Sequence, residues 1–134
     1  MKKFILAVAF SFVLLSDRTG AQEKSYGQVE YLNSCASCHG DSGKGDGPLA
    51  GELKTAPANL TRLAERNGGE FPYSHVFAVI DGRYVVPGHG DREMPVWGRR
   101  FLQGDWPIYG PVVGEAVTQE RIHELARYVQ ALQR

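Results

Sequence analysis

The sequence predicts an all-α fold, and three observations carry that expectation. No run alternates apolar and polar residues for long enough to build a sheet. Near the C-terminus, Ile122, Leu125, Ala126, Val129 and Leu132 fall at i, i+3, i+4, i+7 and i+10, the apolar stripe of an amphipathic helix. The 134 residues suit one domain with a single core, and 43% apolar against 22% charged residues argues for a globular chain rather than a disordered one. With 16 Gly and 7 Pro, the helices must be short and joined by many turns.

The first segment reads as an address. Met1-Lys2-Lys3 is a short positive start, and Phe4 to Leu15 is apolar except for Ser11. A helix of that length spans about 18 Å, short of the roughly 30 Å hydrocarbon core of a bilayer. Asp17 and Arg18 follow, and the small residues Thr19 and Ala21 fit the cleavage pattern of a secretory leader cut after Ala21. The expected organisation is a signal peptide over 1–21 and one domain over 22–134, working in the periplasm. An uncleaved anchor is the competing reading, and Asp17 opposes it by ending a spanning helix early. No other stretch is apolar enough to cross a membrane, so no stable insertion is expected after cleavage. The 15 basic and 15 acidic residues balance, and losing Lys2, Lys3, Arg18 and Asp17 leaves a slight acidic excess. Nothing there favours nucleic acid, which needs a basic surplus.

Ser25 to about Ser34 is expected to be helical, with Val29 and Leu32 three apart. His39 to Gly51 carries Gly40, Gly43, Gly45, Gly47 and Pro48 and reads as loop. A short helix follows from Thr61 to about Arg66, capped by Asn59 or Thr61 and stopped by Asn67-Gly68-Gly69. Another starts at Ser74, whose hydroxyl is suited to cap it; Val76, Phe77, Val79 and Ile80 form its apolar face, and Asp81-Gly82 ends it. Residues 83–117 hold so many Gly and Pro that loop is expected throughout. Thr118 is then the cap of the last helix.

One motif points to chemistry. Cys35-Ala36-Ser37-Cys38-His39 is C-x-x-C-H, the attachment pattern for haem c. Two thiols one helical turn apart can reach two vinyl groups on one porphyrin edge, and the adjacent His can then offer Nε2 to the iron. Three other readings compete. A thioredoxin-type redox pair needs a βαβ surround, which is missing. A structural zinc site needs a second pair of ligands, and there is no other cysteine. The third is a chance match. Haem iron has a second axial position, and once Met1 leaves with the leader the one remaining methionine is Met94, in Glu93-Met94-Pro95-Val96-Trp97. Pro95 stiffens the chain on one side of it, and Gly88 and Gly90 permit turns on the other. The plain alternative is a methionine filling core space, and the rival ligand is His89. His75 and His123 read as surface histidines.

These residues resemble the class I c-type cytochromes, small mono-haem electron carriers, over nearly the whole exported domain. In that family the equivalents of Cys35, Cys38 and His39 are the thioether cysteines and proximal ligand, and Met94 followed by Pro95 matches the distal ligand. Gly27 with Tyr31, and Leu125 with Tyr128, resemble the positions where the family's N- and C-terminal helices cross. Pro57 resembles the proline whose carbonyl accepts the proximal histidine's Nδ1–H; Pro48 is a weaker candidate. The stretch from Gly98 to Thr118, with its Trp106-Pro107-Ile108-Tyr109-Gly110-Pro111 run, departs from the smallest members, as does the charged approach from Pro87 to Met94. That run is a candidate to cover a haem edge, to dock a partner, or simply to extend a surface loop.

The resemblance implies short helices and loops wrapped around one covalently attached haem c, with iron held by His39 and Met94. It implies a monomeric electron carrier rather than an enzyme, meeting redox proteins transiently through small interfaces. A dry pocket from Leu32, Leu60, Leu63, Val76, Val79, Ile80 and Trp97 would favour ferrous iron. Lys44, Lys54, Arg83, Arg92, Arg99 and Arg100 are candidates for a steering ring, or are simply solvated charges. The alternative is a haem sensor, or a cytochrome subunit of a periplasmic oxidoreductase, with a labile sixth ligand.

Overall fold

A computed structural model describes residues 23–83 and 94–134. The leader over 1–21 and the approach to Met94, including His89 and Arg92, lie outside the described residues. Among those described, every regular element is helical: α1 Tyr26–Ser34, α2 Ala36–His39, α3 Leu63–Arg66, α4 Tyr73–Asp81 and α5 Trp97–Ala131. Single 3-10 turns at Ala50–Glu52 and Leu60–Arg62 punctuate the loops. None of these helices is long and apolar enough to cross a membrane.

α1 is started by Ser25, whose hydroxyl accepts from the Gln28 N–H at 3.2 Å. Its buried face is Gly27 and Tyr31; Val29 is exposed. Gly27 lies against α5 so closely that a Cβ would collide with the Glu124 carbonyl oxygen and come 3.2 Å from the Tyr128 Cβ. That approach brings the Tyr31 and Tyr128 rings to 5.1 Å between centroids, a tilted aromatic pair of the kind worth about 0.5–1.5 kcal/mol beyond its burial. Tyr31, Ile122 and Leu125 are fully buried, so the core is centred on this crossing of the first and last helices.

The short helix after Asn59 forms as its composition predicts. Asn59 Oδ1 accepts from the Thr61 N–H at 3.0 Å, and Asn67 ends α3. α4 begins one residue before the expected Ser74. The Pro72 carbonyl already accepts the Val76 N–H at 2.9 Å, so the first turn closes without a hydroxyl cap. Gly82 stops α4 in the left-handed region, at φ 63°.

The largest departure is in 97–117, which is helix rather than loop. Trp97, Phe101 and Asp105 recur every four residues, and Phe101 and Asp105 are buried. Gly110, at φ 75° and ψ 176°, breaks α5 into two arms. Pro111 then opens the second arm, where its missing N–H costs nothing, and Pro107 falls near the end of the first. A straight helix would hold Asp105 and Thr118 about 20 Å apart, yet the Thr118 hydroxyl donates to Asp105 at 2.9 Å. The arms therefore fold sharply against each other. Thr118 is a buried interior residue and not a cap. Arg121 pins the fold, donating to Asp105 at 2.9 Å and to Glu30 of α1 at 3.0 Å, with its guanidinium 4.1 Å from the Phe101 ring centroid.

Candidate functional site

The C-x-x-C-H residues form one tight turn. Cys35 ends α1 with its N–H on the Tyr31 carbonyl at 2.8 Å, and its own carbonyl accepts from Cys38 and His39 at 3.1 and 2.9 Å. The Gly-rich chain that follows wraps back onto this turn: Gly45 N–H donates to the His39 carbonyl at 2.8 Å and Leu49 N–H to the Ser37 carbonyl at 2.9 Å. Tyr31 reaches past it to donate its buried hydroxyl to the Gly40 carbonyl at 2.7 Å. The turn is thus held both by its own backbone and by the helix crossing.

Cys35, Cys38 and His39 line a cavity of about 620 Å³, within the range of cofactor pockets. Met94, Pro57 and Trp97 line the same cavity, so the fold brings all six nominated residues together. Leu60, Leu63, Val76, Val79 and Ile80 supply apolar wall as expected; Leu32 does not, and packs on the core instead. Leu49 and Leu53 from the Gly-rich loop, with Leu125 and Val129 from α5, complete it. Their four-residue spacings were the available signal.

His39 Nδ1 lies 3.0 Å from the Ala58 carbonyl oxygen. A carbonyl can only accept, so Nδ1 carries the proton and Nε2 keeps its lone pair. Burial pulls the His39 pKa below the usual range, against the opposing pull of that hydrogen bond, and so favours the neutral ring. The acceptor is Ala58 and not Pro57. The Pro57 carbonyl is packed against Gly45, where a Cβ would collide with its oxygen, and the next carbonyl along meets the imidazole. Cys35 and Cys38 are not joined in a disulfide. Burial, helped by Glu30 and then Cys38, pushes the Cys35 thiol up to about 12.

Trp97 packs on Phe101 as a tilted pair with ring centroids 5.5 Å apart, and the Arg100 guanidinium sits 5.3 Å from the Trp97 ring centroid. Comparison with family models, curated proteins and solved structures finds no match to this chain. Its own donor set must therefore speak for its chemistry: two thiols, one oriented imidazole nitrogen and one thioether sulfur around an apolar cavity. Among the described residues, no three His, Cys, Asp or Glu side chains converge as a metal-binding group.

Several surface assignments change. Arg83 is committed to Asp81 and Glu115, so it is not available to a steering ring; Lys44, Lys54, Arg99 and Arg100 are exposed. His123 is half-buried, with Nδ1 2.9 Å from the Tyr73 hydroxyl and its ring 4.6 Å from Phe77. His75 is exposed at the cavity rim. The run from Trp106 to Pro111 does not line the cavity; it forms the elbow of α5, with Trp106, Ile108 and Tyr109 exposed.

Proposed function

We propose that this chain is an exported, mono-haem c-type cytochrome that carries single electrons between redox proteins and is not itself an enzyme. One observation carries the proposal: Met94, remote in sequence from the Cys35–His39 turn, lines the same apolar cavity of cofactor size as Cys35, Cys38 and His39. The crossing of α1 and α5 at Gly27 supports a cytochrome c-like arrangement around that cavity. Residues 1–21 would deliver the chain to the periplasm.

In this reading Cys35 and Cys38 would hold the haem covalently through thioether links. His39 offers the Nε2 lone pair that its bond to Ala58 leaves free, and that bond also fixes the ring and raises its basicity. Met94 would hold the haem iron through its thioether sulfur, with His39 as the other protein ligand. Bound haem supplies a one-electron ferrous/ferric couple. His/Met ligation raises its potential, and the aliphatic wall from Val76, Val79, Ile80 and Leu125 acts in the same direction by disfavouring added charge. Transient partners would be met through a small interface.

Mass spectrometry of the exported chain tests this. The expected result is a chain beginning after Ala21 and heavier by one haem, and a Cys35→Ala/Cys38→Ala double variant without the added mass. A wild-type chain at its bare polypeptide mass, or a double variant that still retains haem under denaturing conditions, overturns the proposal.

A further inference from the structure

Asp81 ends α4 and is only 2% exposed, an unusual place for a carboxylate. Its Oδ1 accepts from Arg83 Nε at 2.6 Å, and its Oδ2 from the second terminal nitrogen of Arg83 at 3.1 Å. The other terminal nitrogen donates to Glu115, on the second arm of α5, at 2.8 Å. The first turn of α5 is seated directly on this cluster. A Cβ on Gly98 would collide with Asp81 Oδ1 and approach Arg83 Nε to 2.8 Å. Beside it, a Cβ on Gly82 would lie 3.3 Å from the Val96 Cα. The ion cluster thus abuts the backbone at Gly98, four residues after Met94, while Gly82, between Asp81 and Arg83 in the chain, abuts Val96; both Met94 and Trp97 line the cavity.

We infer that Asp81, Arg83 and Glu115 are positioning residues that hold the Met94 sulfur at the cavity by locking the end of α4 to the start of α5. The inference rests on the proposed haem-bearing function. A cluster serving general stability has no need to touch this segment. This one meets it through Gly98 and Gly82, where no side chain intervenes to absorb a shift. Arg83 is fit for the task because its planar fork takes both oxygens of Asp81 and still spans to a second carboxylate.

The test uses ferric holoprotein and reads cyanide binding, the weak far-red band of a thioether–iron bond, and attached haem by mass. Gly98→Ala and Arg83→Met are expected to retain covalent haem, weaken the band and speed cyanide binding about tenfold, a small part of the cost of breaking a buried ion pair. Arg83→Lys should recover part of the wild-type behaviour. Glu115→Gln removes one partially exposed bond and leaves the Asp81 pair intact, so it folds even if the others do not, and it should show a smaller change of the same sign. Variants with wild-type band and cyanide rate overturn the clamp while leaving the proposed function standing. A wild-type holoprotein that carries haem but lacks the band overturns Met94 ligation and the clamp with it. A wild-type chain without haem overturns the function itself.

Discussion

The Tyr31 hydroxyl donates to the Gly40 carbonyl at 2.7 Å, joining the centre of the helix crossing to the residue that follows His39. Burial holds the Tyr31 phenol well above its ordinary pKa, so it remains a donor at any physiological pH. Tyr31→Phe keeps the ring packing but leaves a buried carbonyl without its partner. We expect a loss of about 1–3 kcal/mol, read as a lower midpoint in denaturant with an unchanged slope.

Gly27→Val drives two methyl groups into the Glu124 carbonyl, where even a single Cβ does not fit. The helices must part, and overpacking of this kind costs about 1–3 kcal/mol or more. Thermal unfolding of the variant should show the loss, and near-ultraviolet dichroism should show Tyr31 and Tyr128 separated.

Met94→Ala leaves Cys35, Cys38 and His39 untouched, so covalent haem should survive while the far-red band disappears, exogenous imidazole binds readily and the potential falls. Retention of the band in this variant would remove Met94 as its source, whereas loss of the band without imidazole binding would transfer the distal role to another side chain, His89 being the first to substitute.

Asp105→Ala removes the group that accepts from both Thr118 and Arg121. Arg121 keeps Glu30 but loses its tie to the first arm of α5. The pair is mostly rather than wholly buried, so a cost of about 3 kcal/mol is expected. A double-mutant cycle with Arg121→Met should return a coupling well above that of a surface ion pair.

Glu115 gives the pH prediction. Hydrogen bonds from Arg83, then Gln119, hold its carboxyl below the usual glutamate range in the folded chain. Because the folded value is the depressed one, its stabilisation is present above the ordinary glutamate pKa and fades as pH falls through the folded value. The side chain is 42% exposed, so the effect is modest. Following the unfolding midpoint from neutral pH to about pH 3 should show a shallower acid decline in Glu115→Gln than in wild type.

The parts of the site legible in the sequence are those whose meaning is local. Cys35, Cys38 and His39 carry their spacing within one turn, and Met94 is singled out by scarcity. Gly27 and Leu125 were legible through a resemblance, and the structure shows the physical cause as a close backbone approach. The first arm of α5 was hidden because Gly98, Gly104 and Pro107 argue for loop when weighed one by one. Gly98 is instead fixed by its contact with Asp81, and the period of Trp97, Phe101 and Asp105 outweighs the rest. Whether Pro57 or Ala58 meets His39 turns on where successive carbonyls point, and that direction is set by packing against Gly45.

α5 doubles back at Gly110, yet Trp97 near one tip and Leu125 and Val129 near the other border the same hollow. The two arms therefore flank one hollow while the Gly110 elbow that joins them, with its exposed Trp106–Tyr109 surface, lies away from it. A group filling the hollow would touch both arms at once, so its loss should loosen Trp97 and Leu125 together, although 27 residues of chain separate them.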